Sequence, residues 1–159
     1  MNVLTDFIEQ VSTAKWYSEH RFSKRKEEGE DVEKLLTTKI PGDGQTPLEI
    51  AIHAVNTLYK FTLGQREPEL DLKEVQVPVD TSLSPTEQIS KMYQLAIDEL
   101  TELGEKHESL DDEIIHSYTK KEVSLRSAVR FFAFHLIEHS GQVIRFQHHL
   151  HSCPTLQEQ

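Results

Sequence analysis

The sequence predicts an all-α fold, a four-helix bundle with long connecting loops, and three observations lead to this prediction. Four segments repeat apolar residues at helical spacing. Two of these segments begin with complete helix-capping signals. No strand pattern competes, because the one alternating stretch, LKEVQVPVD, is interrupted by Pro78 and has no evident partner strand. Four long amphipathic helices in one small domain are typical of a bundle.

The first predicted helix covers about Asn2 to Lys26. Its apolar residues at near-helical spacing are Val3, Leu4, Phe7, Ile8, Val11, Ala14 and Trp16. A short piece, EDVEKLL, is expected to add one or two turns before PGDGQ breaks the chain with two glycines and a proline.

The second and third helices share one pattern at their ends. Each begins with a Ser or Thr N-cap, a proline at the first helical position and a glutamate that completes a capping box, and each is expected to stop at a glycine. These residues are Thr46, Pro47, Glu49 and Gly64 in the second helix and Ser84, Pro85, Glu87 and Gly104 in the third.

The fourth predicted helix starts near Ser124 and runs to about His149, with Pro154 as its outer limit. The three predicted connections are Gly29–Gln45, Arg66–Leu83 and Glu105–Val123. All are long for a bundle, so any of them could run its length and the topology stays open. We expect a single domain over residues 1–152 and a C-terminal tail over 153–159.

Composition narrows the function classes. The 159 residues fit one domain, and 36% hydrophobic with 28% charged residues is ordinary for a soluble globular protein. The net charge of −10 disfavours nucleic acid as a partner, since it would repel phosphate. The basic cluster Arg21–Lys26 is followed at once by two glutamates, and we interpret it as a solvated helix end.

Cellular location is predicted from what the chain lacks. No apolar run approaches the roughly 20 residues needed to span a bilayer, and the N-terminus has no signal-peptide pattern. The single cysteine, Cys153, excludes an internal disulfide and a thiolate zinc cage. We therefore expect a cytoplasmic protein with no membrane partner.

The fourth helix carries two histidines on an apolar stripe. Steps of three and four along it give Ala128, Phe132, His135, His139, Gln142, Phe146 and His149. The stripe points His135 and His139 into the bundle, and their i, i+4 spacing lets both rings reach one metal ion. Gln142 lies one turn on, able to hydrogen-bond near the site. The alternative is that both are core histidines hydrogen-bonded to neighbouring carbonyls.

A third ligand must come from another helix, and His53 is the candidate. It lies in the middle of the second helix, shares a stripe with Ile50, Thr57 and Phe61, and is expected to face at least partly inward. The remaining histidines are in the acidic connection, at a charged helix end or near the C-terminus. They are His20, His107, His116, His148, His149 and His151.

These residues resemble the DinB-like superfamily of metal-dependent enzymes. Its members are four-helix bundles with one histidine in the middle of helix two and an H-x-x-x-H pair on helix four, often within H-x-x-x-H-R-G-Q. Here HLIEHSGQ, residues 135–142, corresponds to that motif, with Ser140 where arginine is frequent. TPLEIAIHAVNTLYKF resembles the family's second helix and places His53 in the ligand position.

The resemblance implies that His53, His135 and His139 bind one divalent metal ion at one end of the bundle interior, with Gln142 beside them. Imidazole ligands suit zinc, nickel, copper or iron, and zinc or nickel is expected here. Three neutral ligands would leave an open position at which a water or a low-molecular-weight thiol could be activated. Metal-dependent thiol transfer or isomerisation, or hydrolysis, would follow, on a small-molecule substrate that no motif identifies. A homodimer is also implied.

The general base of such an enzyme is left open. Glu138 lies between the two histidines and faces away from their stripe, whereas Tyr118 or Glu49 could approach the site.

Two other classes of function compete with this interpretation. A hemerythrin-like or ferritin-like di-iron site needs about twice as many ligands, but EIIH, Glu113 to His116, is the one E-x-x-H segment, and Thr57 stands four residues after His53 where a glutamate would be needed. The other class is a non-catalytic interaction or stress-response module, dimeric or not, whose histidine site is idle. It is distinguished by whether the site holds metal and leaves a position open to solvent.

Overall fold

The protein is mostly helical in its structure, a computed structural model that describes residues 1–42 and 44–152, with residues 146–152 described by their backbone alone. The helices are α1 Thr5–Glu27, α2 Val32–Leu36, α3 Pro47–Arg66, α4 Pro85–Glu105 and α5 Leu125–Ser152. Two short strands, β1 Glu113–Ile115 and β2 Glu122–Ser124, form an antiparallel hairpin. The predicted tail, 153–159, lies outside the described residues. The all-α class is correct apart from this small hairpin.

Both predicted capping boxes are present. The Thr46 hydroxyl accepts a hydrogen bond from Glu49 N at 3.1 Å, while the Glu49 carboxylate accepts one from Thr46 N at 2.7 Å. Ser84 and Glu87 make the same exchange at the start of α4. These contacts satisfy backbone donors that a helix leaves unpaired in its first turn, which is why α3 and α4 begin where the sequence predicts.

The predicted stop of α3 at Gly64 is wrong, because the helix continues to Arg66. Gly64 is buried instead, and a Cβ there would lie 2.7 Å from the Cβ of Ser117 in the hairpin. The glycine is thus needed for close approach of the hairpin rather than for ending the helix.

The four long helices contact one another in a closed order. α1 packs on α4 and α5, and α3 packs on the same two helices. The buried apolar side chains between them include Val11, Leu58, Phe61, Tyr93, Leu100, Phe132 and Leu136. One predicted apolar residue of the first helix departs from this core: Trp16 is 61% exposed and stacks on His20.

Side-chain contacts give the helix directions. Thr62 and Arg66, near the end of α3, both bond to Glu99, near the end of α4, so these two helices run in the same direction. Phe61 stacks on Phe132, near the start of α5, at a centroid distance of 4.5 Å. His53, earlier in α3 than Phe61, contacts His139, which lies further along α5 than Phe132. These two helices are therefore antiparallel.

The connection between α3 and α4 crosses the length of the fold. Two parallel helices can be joined only if the chain returns from the end of one to the start of the other. The hydrogen bonds trace this path: Lys60 donates to the carbonyl of Lys73 at 3.3 Å, and Asn56 Oδ1 accepts from Val77 N at 2.7 Å. Val77 is buried, which anchors the returning segment on α3.

The hairpin between α4 and α5 was not predicted. Its strands pair Ile114 with Val123 and are three residues long, too short for an alternating pattern to be recognised. Ser117 in its loop donates to the carbonyl of Phe61 at 2.8 Å, so the loop lies against the later half of α3.

Across residues 1–42 and 44–152, no helix combines the length and the apolarity that a bilayer span requires.

Candidate metal centre

Two antiparallel helices bring the three predicted histidines together. His53 lies in the first half of α3, whereas His135 and His139 lie one turn apart on the side of α5 that faces α3. The stack of Phe61 on Phe132 also joins these two helices, on the side of the histidines towards the end of α3 and the start of α5. The i, i+4 spacing therefore presents two rings to the third, as expected from the sequence.

The three imidazole rings, called the triad below, converge on one point. The ring centroid of His53 is 5.4 Å from those of His135 and His139, and these two are 4.4 Å apart. All three pairs of rings are steeply inclined, at 71° to 88°. One nitrogen from each ring can be chosen so that all three lie within 4.8 Å of one another. Such a cluster of edges, rather than stacked faces, is the arrangement that shared coordination of an ion needs.

The triad lies at the surface between α3 and α5, not inside the buried core. His53 is exposed, and His135 and His139 are partly exposed. The expectation that His53 faces at least partly inward is therefore wrong, and the predicted core pair lies at the edge of the core rather than within it. The helical wheel explains the difference, because the centre of the buried face of α5 passes through Leu136 and Val143, and the two histidines flank it on the α3 side.

Gln142 fixes one of the rings. Its side-chain oxygen lies 2.7 Å from His139 Nδ1, so that nitrogen carries the proton and donates it. In the neutral ring the lone pair then belongs to Nε2, which lies 3.0 Å from Nε2 of His135. The residue one turn beyond the histidine pair thus orients His139, which is the usual role of a second partner to a metal-binding imidazole.

Burial favours the uncharged form of two histidines. Partial desolvation lowers the pKa of His53 although the residue is exposed overall, and the neighbouring His139 lowers it further. Burial also lowers the pKa of His135, as do His139 and His53, whereas Glu138 acts in the opposite direction. A neutral imidazole has a free lone pair, so these environments favour the form that binds metal.

The donor set fits a divalent ion. Two Nε2 atoms at 3.0 Å need a proton or a cation between their lone pairs, and ligands of tetrahedral zinc are about 3.3 Å apart when Zn–N is about 2.0–2.1 Å. The other nitrogen of His135, Nδ1, is buried and has no hydrogen-bond partner among the described residues. Hydrogen bonding to neighbouring carbonyls, the alternative for a core histidine, therefore does not account for this ring.

The other residues considered from the sequence have different surroundings. Glu49 is committed to the capping box of α3. Glu138 is exposed on α5. The Tyr118 hydroxyl donates to the carbonyl of Thr57 at 2.9 Å, so Tyr118 lies along α3 about one turn beyond His53. The sequence held no signal for this placement, because it depends on the hairpin.

A di-iron arrangement finds no support in the geometry. His116 of the E-x-x-H segment packs against Phe61 and Phe132, with ring centroids at 5.4 and 5.7 Å, and burial lowers its pKa. Within the described part of the chain, the triad is the group of three or more histidine, cysteine or acidic side chains close enough to share an ion. Its ligands include no carboxylate.

Comparison of the chain with models of known families, with curated proteins and with solved structures found no match. The resemblance to the DinB-like superfamily therefore stays a prediction from the histidine spacing and the helix order.

Proposed function

We propose that the protein is a metal-dependent enzyme of the DinB-like kind, a cytoplasmic four-helix bundle in which His53, His135 and His139 hold one divalent ion, zinc or nickel. The observation that carries this proposal is the convergence of three imidazole edges from two helices at a partly exposed point. The reaction class that this arrangement supports best is thiol transfer or isomerisation with a low-molecular-weight thiol, or hydrolysis, on a small molecule.

The helix arrangement supports the bundle. Each of the four long helices packs on two of the others, and α2 is a short addition within the first connection. In the DinB-like pattern one ligand lies on the second long helix and two lie on the fourth. His53 on α3 and the pair on α5 occupy these positions.

The ligand chemistry supports catalysis over a purely structural ion. An ion held by three neutral imidazoles keeps its double charge and, when bound, lowers the pKa of a water or thiol at a remaining position. The chain supplies three neutral donors, a Gln142 contact that orients one of them and an exposed His53 edge that leaves the triad open to solvent. An idle site in an interaction module needs none of these features.

The proposal can be tested with cobalt(II) in place of the native ion, because cobalt reports its coordination through visible absorption. The full chain, stripped of metal and loaded with cobalt, should show a ligand-field spectrum that changes when 2-mercaptoethanol is added. His135→Ala should abolish the spectrum. The matched control is His20→Ala, which removes an exposed histidine stacked on Trp16, and it should leave the spectrum unchanged.

Two results would count against the enzyme. A wild-type protein that takes up no cobalt would remove the metal site altogether. A cobalt spectrum that no thiol, azide or pH change perturbs would mean a closed coordination sphere, and the idle interaction module would then be the better description. The homodimer stays a prediction, for which sedimentation of the same samples gives the answer.

A further inference from the structure

Two exposed aromatic side chains lie near the triad: Phe131 contacts the ring of His135, and Tyr118 lies one turn beyond His53 along α3. They come from different elements, α5 and the loop of the hairpin, and only the fold brings them together. Phe131 is 59% exposed and Tyr118 is 44% exposed. Both rings also contact the buried ring of Phe132, at centroid distances of 5.2 and 5.9 Å.

Phe131 borders the triad from α5. It lies one turn before His135, and the two rings are nearly parallel, with 11° between their planes and 6.1 Å between their centroids. Its edge contact with Phe132, at 86°, holds the ring upright on the surface. An exposed phenyl group in this position extends the face of His135 outward rather than filling the core.

Tyr118, in the hairpin loop, lies against α3 one turn beyond His53. Its hydroxyl donates to the carbonyl of Thr57 at 2.9 Å, and Thr57 lies one turn after His53. Because α3 and α5 are antiparallel, one turn after His53 and one turn before His135 are on the same side of the triad. The two aromatic rings therefore flank the approach to the histidines from that side.

The chemistry of this approach is apolar, because the one hydroxyl proton of Tyr118 is already donated to the carbonyl of Thr57. Burial raises the pKa of Tyr118 to about 12, so its hydroxyl stays protonated at neutral pH. Scattered exposed aromatic side chains are normal, but a pair packed on one buried ring beside convergent polar groups is typical of a ligand site. Aromatic rings also attract other rings by stacking and edge contacts.

We infer that the ligand of the triad carries an aromatic body, which packs between Phe131 and Tyr118 while its polar head reaches the three imidazoles. This inference rests on the proposed metal function and adds a substrate class to it. Phe131 and Tyr118 are recognition residues in this account, and neither takes part in the chemistry.

The test compares two probes with the same metal-binding head. Acetohydroxamate carries a methyl group and benzohydroxamate a phenyl ring, and calorimetry gives the affinity of each for the zinc-loaded full chain. Benzohydroxamate should bind about tenfold more tightly to the wild type. In Phe131→Ala and in Tyr118→Ala this ratio should fall towards one while acetohydroxamate affinity holds.

Phe134→Ala is the matched control, since Phe134 is 67% exposed on the same helix, and it should keep the wild-type ratio. A wild type that binds zinc but gives equal affinities for the two probes would overturn the inference and leave the metal function standing. A wild type that binds no zinc would overturn both. If Phe131→Ala instead converts a sedimenting dimer to a monomer with the ratio unchanged, the rings cover a second copy of the chain, and the inference is wrong.

Discussion

His139 connects the triad to the rest of α5 through its two ring nitrogens. Nδ1 faces Gln142 at 2.7 Å and Nε2 faces His135 at 3.0 Å. An amide oxygen accepts only from a protonated nitrogen, so Gln142 selects the tautomer in which Nε2 is free to act as a ligand. At the scale of single residues, Gln142 is not a candidate ligand, but it determines which nitrogen of His139 can bind an ion.

Removing that amide should weaken metal binding without abolishing it. Gln142→Ala leaves all three imidazoles in place but frees the His139 ring to rotate and to change tautomer. Loss of such a partner typically costs about 10–100-fold in metal affinity. Competition with a chromophoric chelator for zinc gives the value.

The control for this variant is Gln94→Ala, an exposed glutamine on α4 whose amide bonds to Asp98. It should bind zinc as the wild type does. Equal affinities for all three proteins would mean that Gln142 plays no part in the site.

The histidine pair was readable from the sequence because helical spacing is a local property, and HLIEHSGQ needs no partner to be recognised. The exposure of His53 was not readable, since it depends on how far α3 is rotated against α5. Tyr118 was named only as a residue that could approach the site. Its position follows from strands of three residues, which leave almost no trace in a sequence.

At the scale of elements, the close contact between α3 and the hairpin depends on glycine, which has no side chain, at position 64. Gly64 is buried where Ser117 crosses the helix, and Ser117 is held there by its bond to the carbonyl of Phe61. Capping boxes could be predicted because their residues are neighbours in the chain. A close approach between residues 64 and 117 could not, and the glycine was taken for a helix stop.

Gly64→Ala should destabilise the protein although alanine is the better helix former. The added methyl group would gain about 1 kcal/mol of helix propensity. It would also lie 2.7 Å from Ser117 Cβ, and overpacking of this kind costs about 1–3 kcal/mol. We expect a net decrease in the free energy of unfolding, measured by urea denaturation.

Gly141→Ala is the matched substitution in a helix with open space. The nearest atom to its added Cβ is Arg145 Nη2 at 3.8 Å, an ordinary contact. This variant should be more stable than the wild type by up to about 1 kcal/mol. If the two variants shift stability in the same direction, the hairpin contact does not constrain α3.

At the scale of the whole molecule, the connections decide the helix directions. Their length was visible in the sequence, but length alone left every topology open. The path became clear from long-range contacts, such as Asn56 with Val77 and Arg66 with Glu99. A single sequence gives no sign of such long-range pairs, whereas helical periodicity and capping residues are visible in it. The helices were therefore predicted better than their arrangement.

Stability should depend on pH through His116. Burial lowers its pKa below the ordinary 6.5. As the pH falls below about 6.5, His116 therefore becomes protonated in the unfolded chain before it does in the folded protein. The free energy of unfolding of metal-free protein is therefore expected to decrease as the pH falls from about 6.5 to the folded pKa, and to level off below it. Urea titrations across this range measure the slope.

His116→Asn isolates this contribution. The ring nitrogen Nδ1 accepts from the backbone of Tyr118 and Thr119, both at 3.3 Å, and an asparagine oxygen can accept in its place without titrating. The pH slope should be smaller in the variant but not zero, since burial also lowers the pKa of His53 and His135. A slope identical to that of the wild type would exclude His116 as a source.

The most direct test of the central claim is the metal content of the untagged protein, never exposed to nickel resin, by inductively coupled plasma mass spectrometry after equilibration with zinc. The wild type and a variant with alanine at His148, His149 and His151 should each hold close to one equivalent, and His135→Ala should hold none. Zinc that is absent from the wild type, or that persists in His135→Ala and disappears from the triple variant, would contradict a metal site at His53, His135 and His139.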